Sequence, residues 1–364
     1  MSSSPPGPPP LPDELVLHIL HVAYPPHVED DYIGRARDVL QCCLVSKQWK
    51  ELAEPALFRT IRISTDRAID RLALAPLDKR QWTRTLRCVD NVSDVSAPRA
   101  KVSRFRAALE LLPEVERVDI DAQWDDREGI PLRLSDLEVL PNLKSLTIST
   151  PTYVDLRMAL PRLEFLSLAN VFLDQDFGAV LTSARLPSLR HVVLLSGQPW
   201  FGEYIDLSAL LGHVTCLEIA AALIDDETDT LFRSSSSTEI LLRIEEHDLS
   251  YSRQRAAFSP SFPHPPKHFR LETEATNWRL LLATLFDLPH RPETLFLPDR
   301  ASDPAGVGGS EADELAREAF LRRCREEGVE VIFYRQLGEQ DRGGGCAEFR
   351  EFVERRKKGE GRSV

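Results

Sequence analysis

Catalysis and metal binding require nucleophiles, acids or ligands at spacings that bring them together. The six cysteines, Cys42, Cys43, Cys88, Cys216, Cys324 and Cys346, form no CxxC pair and mostly stand inside apolar patterns. They read as reduced, packed thiols, without disulfides or structural zinc. His18 and His21 lie three apart on one helical stretch, too few ligands for a metal site. His264, His268 and His290 are scattered among prolines and strand-like segments. The acid pairs Asp125 and Asp126, and Asp225 and Asp226, are sequence neighbours and do not face one another across a substrate; they read as loop charges or helix starts. No GxSxG elbow, Gly-rich phosphate loop or HExxH occurs. The sequence predicts a protein without a catalytic set, a metal or a cofactor.

Composition narrows the remaining classes. Of 364 residues, 42% are hydrophobic and 28% charged, enough apolar material for more than one compact unit. No run approaches a membrane span, and the opening "MSSSPPGPPP" lacks the basic end and apolar stretch of a secretory signal. A cytoplasmic or nuclear location is expected, without a membrane partner. The formal charge of -12 excludes a general attraction to nucleic acid, and the basic run "ERRKKGEGR" reads as a solvated tail. Residues 1–10 read as a disordered Pro-rich spacer.

The first apolar run is "LPDELVLHIL". Leu11, Leu15, Ile19 and Leu20, flanked by Val16 and Val22, recur at helical spacing, and Pro12, Asp13 and Glu14 form a sound helix start. The helix must end before "YPPHVEDD". In "DVLQCCLVSKQWKELAEPALF" one stripe holds Val39, Leu40, Cys43 and Leu44, and a second holds Trp49, Leu52, Ala53, Ala56 and Leu57. Ser46 between them is a good N-cap, so two helices meet at a tight corner. Three short helices bury little surface alone, which assigns part of this apolar face to a partner.

The order "LPDELVLHIL", "CLVSKQW", "LAEPALF" resembles an F-box. The resemblance implies a three-helix module, residues 11–58, that docks on the Skp-type adaptor of a cullin-RING ubiquitin ligase while the rest of the chain selects a target. Carried onto this sequence, it implies adaptor contacts at Leu11, Pro12, Leu15, Ile19, Leu20, Leu44, Val45 and Trp49. The spacer "HVAYPPHVEDDYIGRARD" is longer than the usual link between the first two helices.

Beyond the module the chain repeats itself. "LPEVERVDI", "LPNLKSLTI", "LPRLEFLSL" and "LPSLRHVVL" each read Leu-Pro, a spacer, an apolar residue, then a strand core of apolar, any, apolar. Weaker copies include "LFRTIRI", "WTRTLRC", "LGHVTCLEI", "STEILLRI", "PPKHFRL", "PETLFL" and "GVEVIF", with a period of about 26 residues. Helical candidates such as "SRFRAALELL", "DQDFGAVLTSA", "DDETDTLFRSS", "NWRLLLATLFDL" and "SEADELAREAFLRRCREE" fill the intervals. The pattern predicts an α/β solenoid of about 10 or 11 irregular units over residues 59–335, followed by a tail, 336–364, with a short helix. It resembles the irregular leucine-rich repeats that follow F-boxes in fungal proteins, which implies a horseshoe.

If the apolar pair of each strand points inward, the residue between them faces outward. That ladder reads Arg62, Arg87, Asp119, Thr147, Ser167, Val193, Glu218, Arg243, Arg270 and Phe296. Its uncharged middle, flanked by Phe165, His191, Cys216 and Leu195, suggests a protein-binding surface or a strip covered by a loop or the C-terminal tail. Target contacts are expected at Phe165, Ser167, His191, Val193, Leu195, Glu218 and the loop residue Trp200, with Trp124 and Phe201 as further loop aromatics. The sequence thus predicts a non-catalytic substrate receptor of an SCF-type ubiquitin ligase. The alternative is a repeat scaffold whose first helices only cap the solenoid, with Leu15, Ile19 and Trp49 buried inside the chain.

Overall fold

The computed structural model describes residues 11–23, 32–89, 104–121, 132–149, 153–155, 158–169, 171–173, 182–195, 214–220, 239–245, 267–272, 278, 282, 285–287, 291–298, 311–334 and 346–358. The Pro-rich start, Trp124, Trp200, Phe201 and the helical candidate "DDETDTLFRSS" lie outside them, as does most of "DQDFGAVLTSA".

Three helices open the chain: α1 (Asp13–Ala23), α2 (Tyr32–Cys43) and α3 (Lys47–Phe58). Then follow β1 (Thr60–Ile63), α4 (Asp66–Leu74), α5 (Leu77–Gln81), β2 (Thr85–Val89), α6 (Phe105–Glu110) and β3 (Arg117–Asp121). Next come β4 (Leu132–Arg133), a 3-10 turn Leu134–Val139, β5 (Ser145–Ile148), β6 (Tyr153–Asp155), β7 (Phe165–Ala169) and β8 (Phe172–Leu173). The chain continues through β9 (His191–Leu195), β10 (Cys216–Ala220), β11 (Glu239–Glu245), β12 (His268–Glu272) and β13 (Thr294–Pro298). It closes with α7 (Glu311–Glu326), β14 (Glu330–Tyr334) and α8 (Ala347–Lys357).

Among the described residues, eleven strands form one sheet in the order β1-β2-β3-β5-β7-β9-β10-β11-β12-β13-β14. Every neighbouring pair is parallel. The order in the sheet is the order in the chain, which is compatible with a solenoid. A second, short parallel sheet runs β4-β6-β8.

The Leu-Pro motif explains the unit. In its four strongest copies the apolar quartets are buried: Leu112, Val115, Val118 and Ile120; Leu140, Leu143, Leu146 and Ile148; Leu160, Leu163, Leu166 and Leu168; Leu186, Leu189, Val192 and Leu194. The residue three after each leucine donates its N–H back to that leucine's carbonyl, as in Leu163 to Leu160 at 3.1 Å and Leu189 to Leu186 at 3.1 Å. Proline, lacking an N–H, fits inside such a turn without loss. Successive units are stitched by a second recurring device, one carbonyl accepting two consecutive N–H groups of the next unit. Glu164 and Phe165 both donate to Lys144, and Arg190 and His191 both donate to Glu164.

All inward positions meet on one face of the sheet. Ile69 and Leu72 of α4, Ala108 and Leu109 of α6, Leu134 and Leu137, and Phe320 and Cys324 of α7 join the strand residues in a continuous core. Ring contacts of Phe320 with Trp278 (5.4 Å) and Phe286 (5.7 Å) reinforce its far end. The connections that lie on the described residues thus cover this face.

The expected ladder needs one correction in register. The sequence alignment sets Glu218 beside Arg243, whereas pairing sets Glu218 opposite Leu241 and Ala220 opposite Arg243. β11 carries three inward residues, Ile240, Leu242 and Ile244, so two overlapping pairs satisfy the apolar-any-apolar rule. A slip of two keeps every side chain on its face; Arg243 stays on the outer face, one step along.

Candidate functional site

Two surfaces hold the expected functional residues: the three-helix module and the outer face of the sheet.

In α1 the N–H groups of Leu15 and Val16 both donate to the Pro12 carbonyl, and Asp13 and Glu14 supply negative charge at the positive helix end. Val16 and Leu20, four apart, point inward and meet Val39 of α2 and Ala53 of α3. Cys42, Cys43, Trp49, Leu52, Ala56 and Leu57 pack around these four. The adjacent pair Leu15 and Ile19, also four apart, therefore lies on the neighbouring, exposed stripe. Leu11, Pro12 and Leu17 are exposed too.

The corner between α2 and α3 is a tight turn in which Leu44 donates to Gln41 (3.0 Å) and Val45 to Cys42 (3.1 Å). α3 then starts at Ser46, whose Oγ accepts the Trp49 N–H at 3.2 Å. This geometry leaves Leu44 and Val45 73% and 65% exposed. The side-chain amide of Gln48 donates to the Leu11 carbonyl and to Asp13 Oδ1, both at 2.6 Å. It fastens the Leu-Pro end of α1 to the start of α3, although 35 and 37 residues separate the partners.

Residues 10–64 match the family described as F-box-like. No curated protein matches the chain.

The F-box-like module thus divides the eight expected adaptor contacts. Leu11, Pro12, Leu15, Ile19, Leu44 and Val45 are exposed. Leu20 is a core residue, contrary to expectation, because the four-residue step from Val16 carries it inward. Trp49 is half-buried against the module core. Leu17 and Leu40, which were not expected as contacts, are exposed large apolar residues as well. Gln48 also escaped the sequence reading, since a single polar residue in the first turn of α3 gives no periodic signal.

The module is joined firmly to the array. Lys79 of α5 pairs with Glu54 of α3 and lies 5.4 Å from the Phe58 ring centre. Trp82 meets Phe58 edge-on at 6.3 Å, and Thr83 Oγ1 donates to the Phe58 carbonyl at 3.0 Å.

On the outer sheet face the structure departs from an open ladder. α8 lies across it: Cys346, Phe349, Phe352 and Val353 form a cluster with Cys216, Leu241, Phe296 and Tyr334, separate from the main core. Beneath the start of this helix sits Glu218, fully buried. Its Oε1 accepts hydrogen bonds from His191 Nε2 (2.7 Å) and from the Cys346 backbone N–H (2.6 Å). Its Oε2 lies 3.8 Å from both Arg243 Nη1 and Arg270 Nη1. Burial alone would raise the Glu218 carboxyl; the His191 hydrogen bond and the positive charge around it outweigh that and hold it below its ordinary value.

Glu218, expected as a contact on an open surface, is thus held under the start of α8, and His191, expected likewise, is buried beside it. Ser167 and Val193 are buried as well, whereas Phe165 and Leu195 keep partial exposure. Phe165 meets the His191 ring edge-on at 5.1 Å. Trp200 lies outside the described residues. The signal for α8 is present in the sequence: Phe349, Phe352, Val353 and Arg356 mark one helical stripe.

Toward β1 the same face is polar. Asp119 accepts from Arg117 Nε at 2.9 Å and lies 3.7 Å from Arg87 Nε. The buried thiols have no nucleophilic character: burial pushes Cys88, Cys324 and Cys346 up to about 12 and Cys216 to about 11, so all four stay protonated at neutral pH. Among the described residues no three His, Cys, Asp or Glu side chains are grouped to hold a metal ion, and no helix is long and apolar enough to cross a membrane.

Proposed function

We propose that this chain is the substrate-recognition subunit of an SCF-type ubiquitin ligase. Its F-box-like module binds a Skp-type adaptor, and its leucine-rich-repeat-like array holds a target protein. The observation that carries the proposal is the exposed apolar set Leu11, Leu15, Ile19, Leu44 and Val45 on a module whose core closes without them. Exposed leucines on two elements around one corner cost solubility unless a partner covers them. The F-box-like match over residues 10–64 supports the same reading. A module that merely capped the array would turn Leu15, Ile19 and Trp49 inward; Trp49 is half-buried, whereas Leu15 and Ile19 are exposed.

In this reading the chain performs no chemistry. It raises the effective concentration of a target near a ubiquitin-carrying enzyme held by the same scaffold. The firm α3–α5 junction matters here, because distance between target and enzyme is set by the rigidity of that joint. Such ligases act in the cytoplasm and nucleus, and we place this chain there.

The test is capture of purified Skp-type adaptor by the full chain and by the Leu15→Asp and Leu44→Asp variants. Each leucine buries its free surface on docking, so each aspartate is expected to weaken binding at least 10-fold, equal to about 1.4 kcal/mol, with the melting curve unchanged. Equal binding by folded variants, or none by the folded full chain, would refute the proposal.

A further inference from the structure

We infer that α8 is an intramolecular occupant of a helix-binding surface on the outer sheet face, and that the target presents an amphipathic helix of the same chemistry. The inference rests on the receptor reading above and names the target class of its array.

The contacts of α8 define a recognition pattern. Its N-terminus points at Glu218, whose carboxylate accepts the Cys346 N–H. Cys346, the residue just before α8, makes no side-chain cap bond, and its own N–H is held by Glu218 on a strand 128 residues away. Phe349, Phe352 and Val353 fill an apolar strip of Cys216, Leu241, Phe296 and Tyr334. Phe349 and Phe352 also meet the His268 ring, at 5.7 and 5.2 Å. Near its other end Arg356 reaches Glu293 at 3.1 Å. The surface therefore selects a free helix start, then aromatic, aromatic and aliphatic groups at i, i+3 and i+4, then a basic group at i+7.

Three features separate α8 from the fold proper. Its contacts form their own cluster, while the main core is continuous from Ile63 to Val329 without it. A helix of 11 residues is marginal in water by itself, so α8 is helical because it is docked. And the surface beneath it holds Glu218, His191, Arg243 and Arg270, groups that lose solvation when covered. Removing the cover restores that solvation and lowers the cost of release. Tethering gives α8 a high effective concentration, so a target helix must compete with it.

The experiment uses a full-length chain carrying a protease site within residues 335–345, cut after folding, so that α8 is held only by its contacts. A labelled peptide of residues 346–364 is then titrated in, beside a peptide that keeps only Phe349, Phe352, Val353 and Arg356 on an alanine background. Both peptides are expected to exchange into the cut chain saturably and to bind the uncut chain at least 10-fold more weakly. A Phe349→Asp, Phe352→Asp peptide is expected to fail.

Absence of exchange, or exchange only when β10 to β14 lose amide protection, would overturn the inference and make α8 a fixed part of the fold. Adaptor capture is measured on the same cut sample. Loss of capture speaks against the receptor reading alone, since the module lies on the other side of the peptide test.

Discussion

Glu218 shows how much a single side chain can depend on its tertiary setting. In sequence it is the polar residue of "CLEI", a position that would face water in an isolated strand. In the fold it receives His191 and the N–H of Cys346, just before α8, and stands beside two guanidinium groups. Its carboxyl is held below the ordinary value, and so is that of Glu239, chiefly through the hydrogen bond from His268. A lowered folded value means that the stabilisation is complete above the ordinary carboxylate range and is lost as pH falls through the folded value. The strands around Glu218 and Glu239, and with them the seat of α8, should therefore loosen in acid, below about pH 4. Thermal melts at about pH 7 and about pH 3 check this: Glu218→Gln is expected to lower the melting temperature at neutral pH and to shrink the difference between the two conditions. An undiminished difference would assign the acid sensitivity elsewhere. Glu218→Ala is expected to cost about 3 kcal/mol, as for a broken buried pair.

At the level of elements, α1 illustrates how neighbouring residues divide between a buried and an exposed stripe. Val16 and Leu20 form one four-residue step and Leu15 and Ile19 the next, so a single turn of helix carries both the module core and its free surface. Leu20→Ala should destabilise the module by roughly 2–5 kcal/mol through the cavity it leaves. Leu15→Ala should change stability by less than about 0.5 kcal/mol. Ser46→Ala, which removes the cap of α3, should cost about 1 kcal/mol. Denaturant unfolding of the full chain, followed by the helical signal in far-UV circular dichroism, checks all three, and a destabilisation by Leu15→Ala equal to that of Leu20→Ala would place Leu15 inside. Gln48 belongs to the same scale: it holds the Leu11 end of α1 in place, so its loss is expected to affect the proposed adaptor binding more than stability.

For the whole molecule, the parallel order of the sheet makes each unit depend on its neighbours. Leu166 lies in β7, between β5 and β9, in full burial. Leu166→Ala should remove about 2–5 kcal/mol and lower amide protection jointly in β5, β7 and β9, since nearest-neighbour interfaces carry the stability of a solenoid. Loss confined to β7 would mean that the units fold independently. The exposed ion pairs between successive units, such as Lys144 with Glu116 at 3.1 Å and Lys267 with Glu293 at 3.3 Å, contribute at most about 1 kcal/mol each. They bias the stacking without providing its main energy.

The sequence by itself determined that the module holds three helices, though not that α2 begins at Tyr32, inside the stretch read as a spacer, and it determined the inward positions of the strands, because these follow from local periodicity. The 3.6-residue step of Val16 and Leu20 and the two-residue step of Leu166 and Leu168 need no distant partner to be recognised. The cap at Ser46 is local in the same way. Tertiary structure alone decided what covers the outer face. Whether Glu218 meets water or the start of α8 depends on a contact across 128 residues, and no periodicity in either segment encodes that pairing. The register at β11 was decided likewise, since Ile240, Leu242 and Ile244 offer two alignments equal in sequence. The hydrogen bonds to β10 select between them, and side-chain pattern, which repeats every two residues, cannot.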